Sequence, residues 1–379
     1  MRRIYWRPTG VSTNELLVIA AISIAALVVV EAFPEHTSEL YLNQMLEASQ
    51  LAGEAMDAIY DERKRRKIDI DPIADPVGSG LIGVAMSEVT SNTGNLLAKQ
   101  TTINPNWAAV AVQLLREAGV HEGDTVAVGL SGSFPAMNVS LYAAMVTLRL
   151  DPIVISSVSS SQWGANHPKF LWLDMERALY DKKIFSVRSV AASFGGAEDR
   201  AASLSEDGLA MLRRAVARSK LPLIDPANYA ESVVERMAIY GEHAGSKPIR
   251  AYINIGGGTS SVGTRRSKFA FQPGINRRTP PRAALIDSVM ARFLDEKIPV
   301  IHFLQVNRMA QRYGLPTSPQ VRPPVGTGQV FLKRRYNPWL VLGALSLVIG
   351  SLFLFIRSGR GRMALESRYK RERKFEPTL

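Results

Sequence analysis

The chain contains no cysteine. Disulfide scaffolds, cysteine zinc clusters and thiol nucleophiles are therefore excluded. Only five histidines occur in 379 residues, and none pairs with another at metal-ligand spacing. No metal centre and no cofactor is expected. No internal repeat at solenoid periods is visible. Acidic residues are too few to balance the basic ones, leaving a net charge of +12. That excess is unevenly placed. Between Pro34 and Asn337, 35 Lys and Arg face 29 Asp and Glu, a balance of +6, so about half of the surplus lies in the two tails. The N-terminal tail holds Arg2, Arg3 and Arg7. The C-terminal tail holds Arg357, Arg360, Arg362, Arg368, Lys370, Arg371, Arg373 and Lys374. Basic tails beside apolar helices report membrane orientation and contact with anionic lipid. No nucleic-acid partner is expected.

Two long apolar runs stand out. Leu16 to Phe33 reads LLVIAAISIAALVVVEAF, with one charge, Glu31, near its end. Trp339 to Ile356 reads WLVLGALSLVIGSLFLFI and carries none. Each is 18 residues long, near the roughly 20 needed to cross a bilayer core. A cleaved signal peptide is the rival reading of the first run, but VVVEAFPEH offers no small-x-small cleavage site. A buried core helix is the rival reading of the second, and eight basic residues after it argue against that. Tyr336 and Trp339 suit an aromatic belt. Flanking charge places both termini in the cytoplasm and the middle of the chain outside the cytoplasmic (inner) membrane.

The expected organisation is a cytoplasmic tail over 1–13, a transmembrane helix over 14–33 and a juxtamembrane amphipathic helix over 34–70. An extracytoplasmic α/β domain over 71–313 follows, then a Pro/Gly linker over 314–337, a second transmembrane helix over 338–356 and a basic cytoplasmic tail over 357–379. The juxtamembrane helix is read from His36 to Lys67, with Thr37 or Ser38 as cap; its basic end at 63–67 is a solvated helix end or, alternatively, an anion-binding run.

Within the middle segment, apolar strands alternate with helices. Strands are expected at Thr125–Gly129, Pro152–Ser157, Phe185–Ala191 and Ile249–Ile255. Helices are expected at Trp107–Ala118, Pro135–Leu148, Leu204–Arg218 and Tyr229–Tyr240. This pattern predicts a doubly wound, mostly parallel sheet. Each of the four strands runs into small polar residues. In a parallel sheet those ends share one edge, where such folds bind ligands. Glycine turns there expose backbone N–H groups that favour anions. The candidate ligand-binding residues are Ser131, Gly132, Ser133, Ser157, Ser159, Asn166, Asn254, Gly256, Gly257, Gly258 and Thr259. Polar loops of this kind also occur without any ligand.

Catalytic signals are weak. The segment from Gly129 to Ser133, GLSGS, sits where a nucleophile elbow would, but has Ser133 where the elbow needs glycine. Ser131 with His167 as base is the best candidate pair, and Asp225 with His243 or His302 would complete a triad. The glycine run after Ile255 resembles an actin-like or sugar-kinase phosphate loop. Those loops have aspartate where this chain has Asn254.

Three segments, GDTVAVGLSGSFPAMN, PIVISSVSSSQWGANHP and INIGGGTSSVG, lie between the two apolar runs. Together with that layout they resemble the bacterial poly-gamma-glutamate system protein family over nearly the whole chain. The resemblance implies an accessory role in poly-γ-glutamate capsule synthesis or export, beside an ATP-dependent amide ligase and other membrane proteins of that system. It carries over no catalytic residue. Expected partners are membrane lipid, those membrane proteins and the anionic polymer. Arg265, Arg266, Lys268, Arg277, Arg278 and Arg282 follow the glycine loop and would add positive field, or are solvated surface. An extracytoplasmic serine hydrolase or transferase acting on the polymer is the alternative.

Overall fold

The computed structural model describes residues 13–38, 40–264 and 269–357. It divides into two units. One is formed by the two ends of the chain up to Ser38 and from Leu332, the other by Glu39–Phe331.

In the first unit, α1 (Thr13–Ala32) and α12 (Pro338–Arg357) pack together, and β1 (Pro34–Ser38) pairs antiparallel with β13 (Leu332–Tyr336). Asn337 Oδ1 accepts from the N–H groups of Trp339 and Leu340 at 2.9 and 3.2 Å, starting α12. Tyr336 donates its hydroxyl to Glu31 Oε1 at 2.6 Å. Among the described residues, one helix, Pro338–Phe355, is long and apolar enough to cross a membrane. The apolar part of α1, Leu16–Ala32, is shorter.

The second unit begins with α2 (Leu42–Arg65), six residues later than the helix read from His36, because the preceding residues are committed to β1. Tyr41 is its N-cap, not Thr37 or Ser38, and makes no side-chain capping bond. Met45, Ala48, Ala52, Ala55, Met56 and Ile59 recur at threes and fours and are buried. The small residues let α2 lie close against α4 (Trp107–Glu117) and α5 (Pro135–Thr147). Its basic end is not all solvated. Arg63 is buried, and its guanidinium donates to the carbonyls of Gly80, Ile82 and Asp69, tying down the chain after the helix.

Among the described residues the central sheet has seven strands. Its chain order is β3 (Thr125–Ser131), β4 (Asp151–Ser157), β8 (Ser189–Ser193), β9 (Leu223–Ile224), β10 (Ile249–Ile255), β11 (Gly274–Asn276) and β12 (Val300–Phe303). The spatial order is β11-β12-β10-β3-β4-β8-β9, all parallel except β11. Short pairs lie outside it: β2 (Thr90–Asn92) with β5 (Ser160–Ser161), and β6 (Asn166–His167) with β7 (Phe170–Leu171).

Helices cover both faces, so the fold is doubly wound. Val126, Val128, Leu130, Ile253 and Ile255 face the core shared with α2, α4, α5, α6 (Trp172–Asp181) and α7 (Glu206–Ser219). The alternate residues Ala127, Ile153, Ile155 and Tyr252 face α8 (Tyr229–Ala244) and α10 (Val289–Asp295). The Pro/Gly stretch from Gly314 to Gly328 forms no helix or strand, yet it is strapped to the body. Asn106 Nδ2 donates to Pro324 O at 2.9 Å, Gly326 N donates to Asn106 Oδ1 at 3.0 Å, and Arg322 pairs with Asp57 at 2.6 Å. Composition reports the lack of regular structure, not a lack of packing.

Candidate functional site

From β3 the chain steps outward through β4, β8 and β9. It then returns to place β10 on the other side of β3. Strand order therefore reverses between β3 and β10. In open parallel sheets the crevice at such a switch point is where ligands bind.

Two turns meet there. After β3, Gly132 N donates to Ser157 O at 3.0 Å, and a Cβ on Gly132 would come within 2.9 Å of Ser159 O. Ser133 N donates to Ser131 Oγ at 3.2 Å, and Asn138 Nδ2 donates to Ser131 O at 3.0 Å. The turn then enters α5 with Pro135 in its first turn. After β10, Gly256 adopts φ +95° and its N–H donates to Phe303 O at 3.2 Å. A Cβ there would lie 3.0 Å from Ser131 Cβ, so the two turns touch. Gly257 and Gly258 continue into α9 (Thr259–Val262), and Gly258 is open to solvent. Ser131, Gly132, Ser133, Gly256, Gly257, Gly258 and Thr259 are thus gathered at the switch point.

The other candidates divide. Ser157 ends β4 beside Gly195, whose Cβ would sit 2.6 Å from that of Ser157. Ser159 is buried and donates to Ser91 Oγ at 3.1 Å. Asn166 is consumed structurally: its Oδ1 accepts from Val84 N at 2.9 Å, and its Nδ2 donates to Val84 O and Thr90 Oγ1 at 2.7 and 2.9 Å. Asn254 is buried, with Nδ2 donating to Gly256 O at 2.7 Å and lying 3.0 Å from His302 Nδ1. It shapes the glycine turn from behind.

Among the described residues no triad forms around Ser131. His167 lies in β6, where its Nδ1 accepts from Lys169 N at 3.3 Å. Burial first, then the charges of Arg63 and Lys169, push its pKa down. His243 is exposed on α8 and bonds Ile239 O, while His302 is buried beside Asn254. None of the three is hydrogen-bonded to Ser131 among the described residues. Of the basic cluster, Arg265, Arg266 and Lys268 lie outside the described residues. Arg278 and Arg282 are exposed, and Arg277 donates to Glu117 O at 2.7 Å.

Sequence reasoning missed Lys99. It sits in α3 (Leu96–Thr102), a short helix capped by Asn95 Oδ1, and is only 2% exposed. Its ammonium donates to Ser133 O and to Ser161 Oγ, the latter at 2.9 Å, and lies 3.7 Å from the centre of the Phe134 ring. Burial pushes its pKa down to about 7. The only sequence signal was a single charge inside the otherwise apolar and neutral NLLAKQTT. Also missed was a buried ion pair behind the loop that follows β8. Arg236 Nη2 lies 2.7 Å from Asp199 Oδ2 and donates to Ser193 Oγ at 2.6 Å, joining α8 to the end of β8. The partners are 37 residues apart and share no motif.

Among the described residues no group of three His, Asp or Glu could hold a metal ion. The crevice offers backbone N–H groups and serine hydroxyls, a set suited to holding anions, with the Lys99 amine buried beneath it. No family model, curated protein or solved structure matches this chain.

Proposed function

We propose that this chain is a two-pass, membrane-anchored accessory protein of poly-γ-glutamate capsule synthesis or export. Its α/β unit lies outside the cytoplasmic membrane and holds the anionic polymer, or a partner protein of the same system, at the switch-point crevice. The observation that carries the reading is the meeting of the Ser131–Ser133 and Gly256–Gly258 turns beside the buried Lys99. The apolar helix Pro338–Phe355, the shorter apolar stretch Leu16–Ala32 and the basic tails support the membrane part. The family-like segments support the pathway.

The test places a carboxylate at the crevice mouth. A Cβ on Gly258 meets nothing within 4 Å, so Gly258→Asp adds charge without a clash. Full-length protein in detergent is expected to retain poly-γ-glutamate, and Gly258→Asp to weaken this about tenfold with unchanged melting. Equal retention by the variant, or normal surface polymer in a deletion strain, would overturn the reading.

One contact favours a second reading, a serine hydrolase or transferase acting on the polymer. Lys99 Nζ lies 2.9 Å from Ser161 Oγ, and a buried neutral lysine can accept a serine proton. The nucleophile would then be Ser161, not Ser131. If Ser161→Ala leaves polymer length unchanged in cells, this second reading is removed.

A further inference from the structure

A cavity of about 370 Å³ opens between α4, β11 and α11 (Val306–Arg312), and it shares no residue with the switch-point crevice. Arg308 and Arg312 stand one helical turn apart on α11 and both line it. Among the described residues neither guanidinium has a carboxylate partner; Arg312 only rests 5.8 Å from the centre of the Tyr313 ring. Glu117 lines the same cavity from α4, with its Oε1 accepting from the neutral Gln113 at 2.8 Å. Leu114 and Met309, both buried, also line it.

Tyr313 lines the same cavity, beside Arg312. Burial pushes its hydroxyl pKa up to about 12, with Arg312 opposing the rise and Glu117 adding to it. Gly274, at φ +92°, completes the wall, and a Cβ there would reach only ordinary contact with Arg312 and Leu114.

The lining thus presents two positive charges and one negative. The complement is a small molecule with two negative charges and one positive. The guanidinium stems start about 5–6 Å apart, as four-residue spacing dictates, a span that suits the two carboxylates of a short diacid. Arginine forks are shaped for bidentate carboxylate binding. The volume lies at the low end of ligand pockets, roughly 300–1,000 Å³, which fits a single small molecule better than a length of polymer. We propose that this cleft binds an α-amino diacid, with Arg308 and Arg312 on its carboxylates and Glu117 on its ammonium. The inference goes beyond the crevice reading and stands on its own residues.

The experiment is calorimetric titration of full-length protein in detergent with glutamate, glutarate, glutamine and lysine. Glutamate is expected to bind saturably, glutamine and lysine far more weakly. Arg308→Gln and Arg312→Gln are each expected to weaken glutamate about tenfold or more. Glu117→Gln should weaken glutamate by a similar factor yet bind glutarate, which lacks the ammonium, as well as or better than the parent protein does. All three side chains are exposed, and a melting curve for each variant checks that the fold is intact. No saturable binding of glutamate, or equal binding by the folded variants, would overturn the proposal. Gly258→Asp should leave this titration untouched, so failure here and failure of the crevice reading are separable.

Discussion

Lys99 Nζ is removed from water with two oxygens for partners, and no carboxylate pairs with it among the described residues. A buried ammonium without a counter-charge costs several kcal/mol, so the neutral form is favoured. The consequence is a pH dependence whose sign can be worked out. Below about pH 7 the lysine is protonated in both the folded and unfolded chain, and the folded state bears the desolvation. Between about 7 and the ordinary value of 10.5, the unfolded chain keeps the proton and the folded chain does not. The unfolded state then binds more protons, so stability rises with pH across that window. Lys99→Met should flatten the rise. Denaturation of both proteins between pH 6.5 and 9.5 checks this, and identical pH slopes would refute it. The sequence marks Asn166 and Asn254 as polar groups on the ligand edge of the sheet. Their amides turn out to be spent on Val84 and on the Gly256 turn, which no local pattern announces.

At the scale of elements, β3 and β10 lie side by side at the switch point, and one glycine sets how closely their side chains approach. A Cβ on Gly129 would fall 2.3 Å from Tyr252 Oη, with Cζ next at 3.2 Å. Gly129→Ala should therefore destabilise the fold by about 1–3 kcal/mol through overpacking. Removing the oxygen with Tyr252→Phe should return part of that loss, although Tyr252 gives up its 3.1 Å contact with Ser261 Oγ. A double-mutant cycle measures the coupling. Strict additivity would show that the clash had been relieved some other way. The elements themselves were largely legible. β4 and β10 match their expected spans within a residue, because strands buried on both faces read as continuous apolar runs. The strand expected at Phe185–Ala191 instead spans Ser189–Ser193, and β12 was not singled out, being four residues long. Short strands leave little periodic signal.

At the scale of the whole molecule, the proposed topology makes its own prediction. With both termini inside, protease added to spheroplasts should cleave the α/β unit and leave a C-terminal tag protected. Loss of the tag with the α/β unit intact would reverse the orientation. This outcome rests on the charges flanking the apolar runs, and those were readable from composition alone.

The residues in order were enough to establish the alternation of helix and apolar strand, the glycine turns and the two apolar ends. Each is a local property, expressed through periodicity, backbone freedom or hydrophobicity over a few turns. Folding added the strand order, and with it the position of the switch point between β3 and β10. It also settled which polar groups are consumed, that Lys99 is buried under the Ser133 turn, and that Arg308, Arg312 and Glu117 line one cavity. These depend on pairings between distant residues, such as Asn106 with Pro324, 218 positions apart. Such pairings are decided by the burial and hydrogen bonding of the whole chain at once, and a short window of sequence carries no trace of them.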